Sequence, residues 1–215
     1  MTRVECFFDC TSPWTYMGVH SFLRLSERLE FEITWRPIIV GGVFNAVNRQ
    51  AVEQRERPDV PRKNEYGRKD IQDWARYLGL TVNVPPKCGH PVNGIKVMRA
   101  CLVMQDRSKL PAFAIAAFEA LWIDGRDLAL DDVLNDLCQG VGEDPDDVLA
   151  AITCLEIKQR LRDNTDDLIA RNGFGSPTWF VNRTDMYFGN DRIPLLESAI
   201  RLDNAMDWDG KAATG

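Results

Sequence analysis

A chain of 215 residues with 45% apolar and 27% charged side chains has the composition of a folded protein with a sizeable core. Its formal net charge of −6 argues against non-specific nucleic-acid binding, which needs a basic surface, and leaves room for a local basic pocket. No apolar run approaches the roughly 20 residues that span a bilayer, and the opening MTRVECFFDC enters a strand pattern with no secretory signal, so a cytoplasmic protein off the membrane is expected.

In chain order, residues 3–9 read as a buried strand and 13–29 as a helix with Met17, Phe22, Leu23 and Leu25 as apolar contacts. FEITWRPII (31–39) alternates Phe31, Ile33 and Trp35 on one face and ends at Pro37. This is a strand–helix–strand unit, with a right-handed crossover if the strands are parallel. The stretch from Gly41 to Asp70 is polar and reads as loop-rich. Helices are then expected over 70–80, 94–107, 110–125, 127–142 and 144–173, with a loop at 82–93. Asp and Glu crowd several of the starts, matching the helix dipole. PTWFVN (177–182) and MYFGN (186–190) read as short strands joined by Arg183-Thr184-Asp185. An amphipathic helix follows at 192–202, and 203–215 reads as a frayed tail. The fold class expected from this order is α/β: a thioredoxin-like βαβ…ββα domain, residues 1–42 plus 168–215, with a large all-helical insertion, residues 43–167.

Six cysteines (Cys6, Cys10, Cys88, Cys101, Cys138 and Cys154) include no C-x-x-C pair, so free thiols are expected. With two histidines and no zinc spacing, no metal site is expected. Four features have an ordinary structural reading. Ser12-Pro13 is a favoured helix start, Ser at the N-cap and Pro at the first helical position. Pro177 reads as a strand-start proline, and Asn190 or Asp191 as the cap of the last helix, with Arg192 a surface charge. Cys10, at the strand end, reads as a small buried hydrophobe.

Together, FFDCTSPWTYMG, WRPIIVGGVFNA, WARYLGL, PVNGIKVMRA, GFGSPTWFVN and MYFGNDRI carry a second reading. In this order, over nearly the whole chain, they resemble the kappa-class glutathione transferases and bacterial 2-hydroxychromene-2-carboxylate isomerases, in the DsbA-like branch of the thioredoxin superfamily. The resemblance implies a glutathione-dependent enzyme, a homodimer, acting on a small aromatic or conjugated carboxylate, and the charge and apolar pattern above add the expectation of no nucleic-acid or membrane partner. It also implies that Ser12, at the electropositive helix start, donates a hydrogen bond to the glutathione thiolate, with Thr11 and Thr15 as rival donors. The slot that holds C-x-x-C in disulfide enzymes reads Ser12-Pro13-Trp14-Thr15, without a thiol at either end.

Pro177 is implied to be cis, with Ser176 offering its backbone to the cysteinyl unit. Asn190 and Asp191 are implied to take the γ-glutamyl end. Asn48, with Asn45 as its rival, is implied for the glycyl end. Trp14, Tyr16 and Phe44 are assigned to the second-substrate pocket, with Lys87 and His90 available to a substrate carboxylate and otherwise part of a solvated loop. Asn93 and Arg99 read as fasteners of their segment to the core. Cys10 and Thr11 stand where bulkier apolar residues are common, and Trp14 and Trp179 are large, so the pocket is reshaped. The expected activity is isomerisation of a 2-hydroxychromene-2-carboxylate-like aromatic-pathway intermediate by reversible thiolate addition. The alternatives are a kappa-class-like transferase conjugating apolar electrophiles and a non-catalytic thioredoxin-fold binding protein.

Overall fold

A computed structural model describes residues 1–49, 53 and 61–206. The sheet has four strands: β1 (Arg3–Phe8), β2 (Glu32–Pro37), β3 (Thr178–Val181) and β4 (Asp185–Phe188), in the order β2-β1-β3-β4. β1 and β2 are parallel, with Cys6 opposite Trp35. β3 runs antiparallel to β1, with Cys6 opposite Trp179, and β4 antiparallel to β3. The β3–β4 turn sits one residue earlier than Arg183-Thr184-Asp185: Asn182, Arg183 and Thr184 lie between the paired Val181 and Asp185, and Asn182 and Arg183 both take left-handed φ (46° and 72°).

Period-two alternation along β1 divides the interior. Val4, Cys6 and Phe8 join the larger core, and Phe7 packs with Ile38, Val43, Leu168 and Phe180 on the opposite face. Glu5 shares that second face. Its carboxylate accepts from Arg171 at 2.7 Å and from Arg36 at 2.9 Å, and the Arg171 guanidinium lies 3.7 Å from the Phe180 ring centre.

Helix α1 (Pro13–Ser26) links β1 to β2. Between β2 and β3 come α2 (Val40–Val47), α3 (Pro61–Leu78), α4 (Ile95–Asp106), α5 (Leu110–Trp122), α6 (Asp131–Gly140), α7 (Pro145–Ala151) and α8 (Leu155–Ala170). A 3-10 turn at Asn190–Arg192 leads into α9 (Ile193–Asn204). Among the described residues, no helix is long and apolar enough to cross a membrane. Residues 207–215 of the expected tail lie outside the described residues, as do 50–52 and 54–60 of the polar stretch.

The rest of that stretch corrects the expected loop. α2 forms despite Gly41 and Gly42 because it buries Val43 and begins where the Val40 N–H donates to Asp9 at 2.8 Å. α3 starts nine residues before residue 70. Its charged residues are good helix formers, and Asp73 pairs with Lys69 and Arg76 one turn away on either side. Among the described side chains of this helix only Ile71 and Ala75 are buried, so most of it reads as polar. The helix expected over 144–173 is two. After α7, Thr153 turns its hydroxyl back to the Ala150 carbonyl at 2.7 Å, and Cys154 is extended before α8.

α1 crosses β3 at Gly18. A Cβ there would lie 2.8 Å from Pro177 Cγ and 3.0 Å from the Trp179 ring. Gly18→Ala is therefore expected to destabilise the protein by about 1–3 kcal/mol, outweighing the helix gain of about 1 kcal/mol. A lowered urea midpoint checks this.

Candidate functional site

β1 delivers the chain to a tight bend. The Ser12 N–H donates to the Asp9 carbonyl at 3.2 Å, and Ser12 is extended (φ −108°, ψ 123°) before Pro13 opens α1. Ser12 Oγ accepts the Thr15 N–H at 3.2 Å, so the capping reading holds. The cap uses an oxygen lone pair and leaves the hydroxyl proton to be donated elsewhere.

Both rival hydroxyls are committed. Thr11 Oγ1 donates to Asp9 Oδ1 at 2.8 Å, and Thr15 Oγ1 lies 2.8 Å from Ser176 Oγ. Thr15 is 0% exposed and Ser176 7%. The Ser176–Pro177 bond is cis, as the resemblance implied, and Gly18 seats Pro177 against α1. The Ser12 end of α1 and the Ser176–Pro177 loop are therefore direct neighbours.

Asp9 is a site residue that the sequence did not single out. It is 2% exposed. Oδ1 accepts from the Thr11 N–H and hydroxyl, both at 2.8 Å, and Oδ2 accepts from Val40 N–H. Burial pushes its pKa up against these three donors and the nearby His90. Cys10 is buried, its carbonyl accepting the Trp122 indole N–H at 3.1 Å. Burial, with the Cys101 thiol and Asp9 carboxyl beside it, pushes the Cys10 thiol well above its ordinary value, an environment for an inert thiol and not for a nucleophile.

The 3-10 turn after β4 reaches the same loop, since the Gly189 N–H donates to the Pro177 carbonyl at 3.0 Å. Asn190 is 7% exposed and its Nδ2 has no hydrogen-bond partner among the described residues. Asp191 is exposed, its carboxylate paired with Arg192. Neither residue caps α9 with its side chain. Both lie in the 3-10 turn itself, and Arg192 occupies the cap position.

The residues assigned to the second-substrate pocket divide. Tyr16 is 1% exposed and stacks on Phe118 with ring centres 5.4 Å apart, so it is a core residue and not a pocket wall. Its hydroxyl is pushed up to about 12 by burial and by the charge of Glu119. It falls on the buried side of α1 with Met17 and Val19, whereas Trp14, half-buried, lies beside Ser12 in the first turn. Phe44 does reach the site: a Cβ on Gly175 would lie 3.7 Å from its ring and 2.7 Å from that of Phe188. Phe188 in turn packs on the exposed Phe174, with ring centres 4.5 Å apart. The sequence left Phe174 and Phe188 unassigned, although Phe174-Gly175 directly precedes Ser176-Pro177.

His90 Nε2 lies 3.1 Å from the Thr11 carbonyl, with its ring centre 5.6 Å from that of Trp122, so this part of the loop is held beside the bend. Lys87 is exposed, with its backbone against Gly125, beyond the end of α5. Asn48 ends α2, its N–H donating to the Phe44 carbonyl at 2.9 Å, and Asn45 is exposed on the same helix.

Comparisons with known proteins agree with this fold. The chain is 25% identical to a 2-hydroxychromene-2-carboxylate isomerase of Pseudomonas sp. (strain C18), over 92% of this chain and 89% of that protein. It is 26% identical to glutathione S-transferase kappa 2 of Caenorhabditis elegans, over 90% and 89% of the two chains. A solved 2-hydroxychromene-2-carboxylate isomerase superposes with a TM-score of 0.78 at 24% identity, covering 93% of this chain and 94% of that one, which shows the common fold. A match to the DSBA-like thioredoxin domain extends over residues 3–201. This chain therefore belongs to the DSBA-like thioredoxin domain family.

Proposed function

We propose that this protein is a glutathione-dependent isomerase acting on a 2-hydroxychromene-2-carboxylate-like conjugated carboxylate. The observation that carries the reading is the division of labour among three hydroxyls. Thr11 donates to Asp9, Thr15 is paired with Ser176, and the Ser12 hydroxyl accepts the cap bond while its own proton is left for an incoming acceptor. That acceptor meets the positive end of a 14-residue helix, where a thiolate is favoured. The residues fit glutathione at a second point as well, because the unpaired Nδ2 of Asn190 suits the α-carboxylate of a γ-glutamyl group, and Asp191 suits its ammonium.

Bound glutathione supplies a nucleophilic thiolate that adds reversibly to a conjugated carbon of the substrate. In this reading Ser12 orients the sulfur and favours its ionised form, the Ser176 backbone aligns the cysteinyl unit, and Asn48 takes the glycyl end. Trp14 and Phe44 exclude water from the apolar side, and His90 faces the substrate carboxylate. Removing the γ-glutamyl contacts is expected to weaken glutathione without slowing the chemistry. Asn190→Ala and Asp191→Asn should each raise KM for glutathione roughly 10-fold and leave kcat within about twofold, as steady-state kinetics would register.

Isomerisation is tested by following 2-hydroxychromene-2-carboxylate interconversion beside conjugation of a chlorinated nitrobenzene. Glutathione-dependent turnover of the carboxylate with little conjugation supports the isomerase. The reverse ratio moves the assignment to the transferase, and neither activity leaves a binding protein.

A further inference from the structure

We propose that the Ser176 hydroxyl is a second hydrogen-bond donor to the glutathione sulfur, and that Thr15 is the residue that aims it. This rests on the glutathione reading above and adds a catalytic side chain to it, since Ser176 there contributes only its backbone.

The two hydroxyls lie 2.8 Å apart across the seam between α1 and the Pro177 loop, and each carries one proton. Thr15 is sealed in the interior, so its proton must end on a protein atom, while Ser176 keeps a sliver of accessible surface. The carbonyl one turn back from Thr15, that of Thr11, already faces His90 Nε2 at 3.1 Å. We assign the donor role to Thr15, the more deeply buried of the two, and the acceptor role to Ser176. The Ser176 proton is then left for an acceptor outside the pair. A cap alone would not need this arrangement, because the cap is made by the Thr15 backbone N–H.

Thr15 thus holds both donors. Its N–H fixes Ser12 Oγ at 3.2 Å, and its hydroxyl fixes Ser176 Oγ. A thiolate carries several lone pairs on a large atom and accepts two hydroxyl donors at once. The pair also gives this chain a way to hold a borrowed sulfur without a thiol in either position of the Ser12–Thr15 slot.

The test is the thiolate absorbance of saturating glutathione on the full-length protein as a function of pH. It is run with wild type, Ser12→Ala, Ser176→Ala, Ser176→Thr, Thr15→Val and Thr15→Ser, each checked for folding by thermal unfolding. The expected result is a wild-type midpoint well below that of free glutathione, raised by roughly one pH unit in Ser176→Ala. Thr15→Val should raise it in the same direction, with Ser176→Thr and Thr15→Ser restoring the wild-type value. A wild-type midpoint equal to that of free glutathione overturns the glutathione reading itself. A depressed wild-type midpoint that rises in Ser12→Ala and stays unmoved in Ser176→Ala overturns only the second donor, leaving Ser176 a seam residue whose loss lowers thermal stability alone. Should Ser176→Ala not fold, the Thr15→Val and Thr15→Ser pair decides: equal midpoints for the two contradict the proposal.

Discussion

Ser12→Ala is expected to lower turnover by roughly 10- to 100-fold, the loss that follows when a hydrogen bond of about 1.5–3 kcal/mol to a charged sulfur disappears. The substitution also removes a helix cap, at about 1 kcal/mol of stability, because Ser12 Oγ accepts the Thr15 N–H. The two effects separate with Ser12→Gly. Glycine at an N-cap costs only a few tenths of a kcal/mol, and it too lacks the hydroxyl. Ser12→Gly should therefore unfold close to the wild-type temperature and still lose most of its turnover, while Ser12→Thr retains a substantial part. Turnover in Ser12→Gly equal to wild type would leave the residue a cap and nothing more.

Arg171→Met is expected to cost about 3 kcal/mol of stability, far from the site. Glu5 lies on the interior strand β1, held by Arg171 and Arg36, and the Arg171 guanidinium covers the Phe7 and Phe180 rings. Taking away one arginine leaves a buried carboxylate half compensated and strips the cover from the Phe180 ring. The pH dependence follows the same pair. Burial alone would raise the Glu5 carboxyl, but hydrogen bonds and charges from Arg171 and Arg36 outweigh it and hold it below the ordinary value of 4.5. Because the folded value is depressed, this contribution is fully present above about pH 4.5 and is lost as the pH falls through the folded value. Urea midpoints measured from neutral pH downward should therefore fall steeply below about pH 4.5 in wild type and less steeply in Arg171→Met. Parallel curves would mean that Glu5 is not the titrating group.

Much of this was legible because local chemistry and global fold agree. Ser12-Pro13 caps a helix whether or not it binds sulfur, and the apolar run of β1 is a buried strand, with Cys6 and Phe7 on opposite faces. The failures have physical causes. α3 buries few residues and stabilises itself with surface ion pairs, which read as polarity and hence as loop. Tyr16 and Trp14 are two residues apart on one helix, and no local pattern says which of them faces the core. Asp9 was invisible as a site residue because its partner Val40 lies beyond β2 and meets it only when α2 packs against the end of β1. Phe188 was missed for a similar reason, since only the fold folds its ring over Gly175. The cis bond at Pro177 came from the family resemblance, not from the neighbouring residues.

The account stands on a thiolate held by the tip of α1, and the most direct measurement is the ultraviolet titration of glutathione bound to the wild-type protein, with occupancy fixed by calorimetry. A free thiol ionises near pH 8.5. The prediction is that the bound sulfur is largely ionised at neutral pH. Saturated protein whose glutathione titrates like the free tripeptide would contradict it.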